Sequence, residues 1–92
     1  MSHRHRVLIV DDNDDLAEAL TCLLESVGFE AMIVSDGEAG LTTLRGDPHG
    51  FCAILLDLHM PGMSGVEFRR GQLAEPGIAH VPVIGCQRTL AY

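Results

Sequence analysis

Ninety-two residues, 47% of them apolar with one Tyr and no Trp, suffice for one small domain, residues 1–92, whose core must be built from Val, Leu, Ile and Ala. A formal net charge of −7 argues against a basic surface for nucleic-acid backbones, and Arg4 and Arg6 are too few for a nucleic-acid arm. No stretch is apolar for long enough to insert in a membrane, and no charged-then-apolar leader precedes the first apolar run, so a soluble cytoplasmic protein is expected.

The first expected element is a strand from Arg6 to Val10. Asn13 or Asp14 then caps a helix running to about Val27, with Leu16, Leu20, Leu23, Leu24 and Val27 at helical spacing on one apolar face. Gly28 follows as a left-handed C-terminal cap. Phe29 to Val34 alternate as a second strand. Ser35-Asp36-Gly37 turns the chain into a second helix that points Ala39, Leu41 and Leu44 inward. After a loop over 46–50, Phe51 to Leu56 form a third strand, continuously apolar and therefore central. Ser64-Gly65-Val66-Glu67 fits a capping box at the start of a third helix, which ends before Pro76-Gly77. Val81 to Cys86 is a fourth strand. Strands alternating with helices imply βαβ units, an α/β class and a doubly wound parallel sheet. Cys22, Cys52 and Cys86, an odd number without metal spacing, are expected as small buried hydrophobes in a reducing compartment.

Carboxylates stand where this architecture puts its chemistry. Asp11-Asp12 follow the first apolar run and Asp57 ends the third. Open α/β sheets bind ligands at the C-terminal edge of their strands. Three carboxylates on one edge repel each other unless a cation sits among them, so a divalent metal is expected.

The segments Val7-Leu8-Ile9-Val10-Asp11-Asp12-Asn13 and Leu55-Leu56-Asp57-Leu58-His59-Met60-Pro61-Gly62-Met63-Ser64-Gly65, with the later Val81-Pro82-Val83-Ile84, resemble the receiver domain of bacterial response regulators. The resemblance spans Arg6 to about Gln87. It implies a flavodoxin-like sheet and a two-component phosphorelay. Asp57 would accept a phosphoryl group from the phosphohistidine of a sensor histidine kinase or histidine phosphotransfer protein. Asp11, Asp12, Asp57 and the backbone carbonyl of His59 would hold Mg²⁺. Pro61 and Gly62 would shape the loop beside Asp57, and Gly65 would let the third helix begin close to the sheet. Such a chain is a phosphoacceptor signalling domain rather than an enzyme, at most catalysing its own phosphorylation and slow dephosphorylation.

The chain departs from that pattern in two places. Gln87, followed by Arg88, stands where the family has a Ser or Thr that contacts the phosphoryl group. The fifth strand and last two helices, with the Lys that pairs with the phosphoryl group, have no counterpart before Tyr92. The receiver is therefore expected to be truncated after its fourth strand. Val81, Val83 and Ile84 would then form an open apolar edge, which implies a homodimer through that strand. These departures leave a second function open, a degenerate receiver acting as a phosphorylation-independent binding or dimerisation module. A third, a metal-dependent phosphatase, wants a second Asp two residues after the nucleophile, where His59 stands.

Overall fold

The computed structural model describes residues 5–60 and 62–86. In chain order these form β1 (His5–Val10), α1 (Asp14–Ser26), β2 (Phe29–Val34), α2 (Gly37–Gly46), β3 (Ala53–Asp57), α3 (Gly65–Leu73) and β4 (Val83–Cys86). The four strands make one parallel sheet in the order β2-β1-β3-β4.

Each helix starts where a short polar side chain can accept a backbone N–H. Asn13 Oδ1 accepts from Leu16 at 3.0 Å, and Asp36 Oδ1 accepts from Ala39 at 2.8 Å. At α3 the capping box is complete: Ser64 Oγ accepts from the Glu67 N–H, and Glu67 Oε1 accepts from the Ser64 N–H. Caps of this kind contribute about 1 kcal/mol each. Gly28 ends the first helical unit at φ +95°, a conformation that costs side-chain-bearing residues energy.

Right-handed crossovers place α1 on one face of the sheet and α2 and α3 on the other, because the chain moves outward from β1 to β2 and then back past β1 to β3. Leu8, Val10, Ile54 and Leu56 face α2 and α3 and join Leu41, Leu44, Phe51 and Phe68 in the main core. The alternate residues Val7 and Ile9 are buried on the α1 side. Arg6 closes the far end of the sheet, its guanidinium 4.7 Å from the centre of the Phe51 ring and within ion-pair range of Glu30 and Asp47.

Several expectations are corrected. Cys22 and Cys52 are exposed, not buried. Cys52 sits in a bend before β3, which begins at Ala53, and Cys22 lies on the solvent side of α1. The apolar stripe of α1 is only partly used. Ala17 is fully buried, whereas Leu23 and Val27 are 65% exposed. The helix packs on β2. Val81 is not part of an open edge: it precedes β4 and is buried in the core with Ile78. His49 and His80 are exposed and stack on each other, with ring centroids 5.1 Å apart.

The segment before β4 is held by a side chain. Gln72 on α3 is fully buried, and its amide donates to the carbonyls of Ile78 at 2.8 Å and Val81 at 2.9 Å. Arg69 donates to the same Gln72 side chain at 2.7 Å. Burying an amide is tolerable because its polar groups are met.

Candidate functional site

The chain reverses its direction of travel across the sheet at β1, so a crevice opens at the C-terminal ends of β1 and β3. Asp11 directly follows β1, and its N–H donates to the Val34 carbonyl at 3.0 Å, locking it to the end of β2. Asp57 is the last residue of β3. Both are almost completely buried, at 2% and 1% exposure, while Asp12 is exposed. Each of the three offers a carboxylate oxygen, and these oxygens lie within 4.8 Å of one another.

Backbone donors orient the two buried carboxylates. The Asn13 N–H donates to Asp11 Oδ1 at 2.9 Å, and the His59 N–H donates to Asp57 Oδ1 at 3.0 Å. Both are bonds from residue i+2 to the side chain of residue i, the pattern Asp adopts in tight turns. The sequence reading missed these two orienting groups. No residue type marks them in the sequence, because any residue but proline supplies a backbone N–H.

The loop after Asp57 is fixed from below. Met60 is buried in the main core and Met63 packs against it. Gly62 has φ +78°, which only glycine adopts without cost. Gly65 begins α3 directly against the end of β3. The imidazole of His59 is exposed. Pro61, Gln87 and Arg88 lie outside the described residues.

Carboxylates and carbonyls are hard oxygen donors, the kind that Mg²⁺ selects over soft metals. Two buried carboxylates and one exposed carboxylate in mutual reach gain from a shared divalent cation. The residues present therefore fit such an ion.

Residues 7–88 match the sequence profile of the response regulator receiver domain. The chain belongs to this family. Receiver domains of this family bind Mg²⁺ at an acidic pocket, and an acidic group of Asp11, Asp12 and Asp57 is present here. Among curated relatives, the DNA-binding response regulator MtrA of Mycolicibacterium smegmatis is 40% identical over 75 residues, covering 82% of this chain and 32% of that protein. The sensory transduction protein RegX3 of Mycobacterium bovis is 45% identical over 78 residues, covering 85% and 32%. The receiver thus spans about a third of the length of the curated relatives it matches. Among solved structures, a response regulator receiver protein from Pseudomonas putida superposes with a TM-score of 0.84 at 28% identity, covering 95% of this chain and 70% of that one. The chemotaxis protein CheY4 of Vibrio cholerae superposes at 0.81 with 26% identity, covering 89% and 67%. This receiver is a signalling domain of two-component systems. No helix among its described residues is long and apolar enough to cross a membrane.

Proposed function

We propose that this receiver takes a phosphoryl group onto Asp57 from the phosphohistidine of a sensor histidine kinase or histidine phosphotransfer protein. The observation that carries the reading is the convergence of Asp11, Asp12 and Asp57 at one sheet edge, with Asp57 held by the His59 N–H. That bond engages Oδ1 of the carboxylate. In the transfer, a carboxylate oxygen of Asp57 forms the new P–O bond as the donor P–N bond breaks, and its electron pair returns to the imidazole.

Asp11, Asp12, Asp57 and the His59 carbonyl would hold Mg²⁺. When bound, the ion supplies positive charge against the oxygens of the transferring group, which is what phosphoryl transfer chiefly requires. The Asn13 N–H orients the side chain of Asp11, and the Val34 carbonyl holds its backbone. Gln87 would donate its amide N–H to the phosphoryl group in place of a hydroxyl. The transfer would take place in the cytoplasm.

The test is intact mass after incubation with Mg²⁺ and acetyl phosphate, with Asp57→Asn in parallel. One phosphoryl group gained by the wild type alone is the expected result. No gain from folded protein that still binds Mg²⁺ would reject the acceptor role and leave a phosphorylation-independent binding module.

A further inference from the structure

His49 and His80 lie at the end of the sheet opposite the acidic group. β3 and β4 are parallel neighbours, with Ile54 in register with Val83. The segments that lead into them therefore run side by side at the N-terminal ends of the strands. His49 stands in the segment before β3, and His80 in the segment before β4. Their ring centroids are 5.1 Å apart and their planes 29° from parallel. Both residues are exposed, and among the described residues no ring nitrogen of either is hydrogen-bonded.

The backbone that carries the two rings is held in place. In the first segment the Gly50 N–H donates to the Asp47 carbonyl at 3.0 Å, and the Cys52 N–H to the Arg6 carbonyl at 2.8 Å. In the second, the Ala79 N–H donates to the Glu75 carbonyl at 2.9 Å. Gln72 binds the carbonyls of Ile78 and Val81 on either side of His80. The ion pair of Arg45 with Glu75 joins the end of α2 to the start of the second segment. A ligand shared by the two rings therefore meets a pair already brought together, and little ordering remains to be done on binding.

We propose that His49 and His80 form a binding site for a borderline divalent transition metal of the Zn²⁺ type, with one ring nitrogen from each and water in the remaining positions. Imidazole nitrogen suits such ions, whereas Mg²⁺ takes oxygen. A Zn–N bond of about 2.0–2.1 Å puts each ring centre about 3.2 Å from the ion, and a tetrahedral angle then separates the two centres by about 5.2 Å. The observed spacing of 5.1 Å matches this. Each ring centre lies close to the line of its own Cβ–Cγ bond. Turning the exposed rings about those bonds aims a nitrogen of each at one point and leaves the centres nearly where they are. Zn²⁺ has no angular preference from its d electrons, so it accepts the remaining departure from ideal geometry.

The two sites differ in both place and chemistry. Asp11, Asp12 and Asp57 offer oxygens at the C-terminal ends of β1 and β3. The histidines offer nitrogens at the N-terminal ends of β3 and β4, where Mg²⁺ does not compete for them. A metal there ties the two segments together and stabilises the folded chain by mass action.

The experiment is isothermal titration of the full chain with Zn²⁺ in excess Mg²⁺, with His49→Ala, His80→Ala and His5→Ala in parallel. Thermal unfolding with and without Zn²⁺ is the second readout, and circular dichroism checks that each variant folds. The wild type should show a Zn²⁺ site that raises its melting temperature, and His5→Ala should leave that site intact. His49→Ala and His80→Ala should each weaken it by about tenfold or more, because either loss removes the intramolecular second contact. Neither variant should melt higher with Zn²⁺. Affinity that survives both substitutions overturns the proposal and assigns the metal to another group. So does a loss confined to one of the two, or one produced by His5→Ala.

Discussion

A methyl group on Gly65 would lie 3.1 Å from the carbonyl oxygen of Asp57 and 2.8 Å from the Cα of Leu58. The third helix therefore starts in backbone contact with the end of the strand that carries Asp57. This contact limits how far the loop between them can move away from the acidic group. A side chain at 65 cannot be accommodated by a rotamer change, because two of its nearest neighbours are backbone atoms.

Gly65→Ala is expected to push α3 away from β3 despite the higher helix propensity of Ala. Overpacking of this kind costs about 1–3 kcal/mol. Urea unfolding should show the loss, and labelling of Asp57 by acetyl phosphate should slow. Unchanged stability would mean that the helix start is less tightly seated than the distances say.

Asp12→Ala should weaken Mg²⁺ binding while leaving the fold intact, since the side chain is exposed and the carboxylate belongs to the acidic group. Isothermal titration with Mg²⁺ reads the change. Undiminished affinity would remove Asp12 from the metal site.

Gln72→Leu should destabilise the chain by about 1–3 kcal/mol, because the Ile78 and Val81 carbonyls both lose a buried donor. The effect should appear in the urea midpoint. Hydrogen exchange should also quicken in β4, which the segment after Ile78 leads into. A loss of stability without faster exchange in β4 would show that Gln72 supports α3 alone.

Arg45 forms a bidentate contact with Glu75, its Nη2 lying 2.7 Å from Oε2. The hydrogen bond from Arg45 holds the Glu75 carboxyl below the usual carboxylate range. A group whose folded pKa is depressed stabilises above its unfolded pKa and loses that contribution as pH falls through the folded value. The difference in stability between wild type and Arg45→Ala should therefore be present at neutral pH and shrink in acid. Because both side chains are solvent-accessible, the difference should be small throughout. Urea unfolding at a series of pH values checks it, and a difference that grows in acid would contradict the sign.

Much of the fold was legible because its signals are local. Val7 to Val10 and Ile54 to Leu56 are apolar without alternation, as strands covered on both faces must be. Asn13, Asp36 and Ser64 each stand one residue before a helix and accept its first free donors. Asp11, Asp12 and Asp57 could be assigned to one edge because parallel strands put their C-terminal ends together. Less legible were the backbone donors that aim Asp11 and Asp57, since any residue type supplies an N–H.

The amino-acid sequence by itself determined the order of elements, the parallel sheet and the three carboxylates at its C-terminal edge. Periodicity, caps and the right-handed crossover leave few alternatives for these. Only the tertiary structure decided which apolar side chains are covered. Leu23, Val27 and Ile84 have the same chemistry as Leu41, Leu44 and Ile54, yet the first three are largely exposed and the others are buried. Burial depends on what lies opposite a residue in space, and helical or strand spacing records only which side of its own element it occupies. The same reason exposes Cys22 and Cys52 and buries Gln72, whose amide is tolerated in the core because Ile78 and Val81 present carbonyls to it.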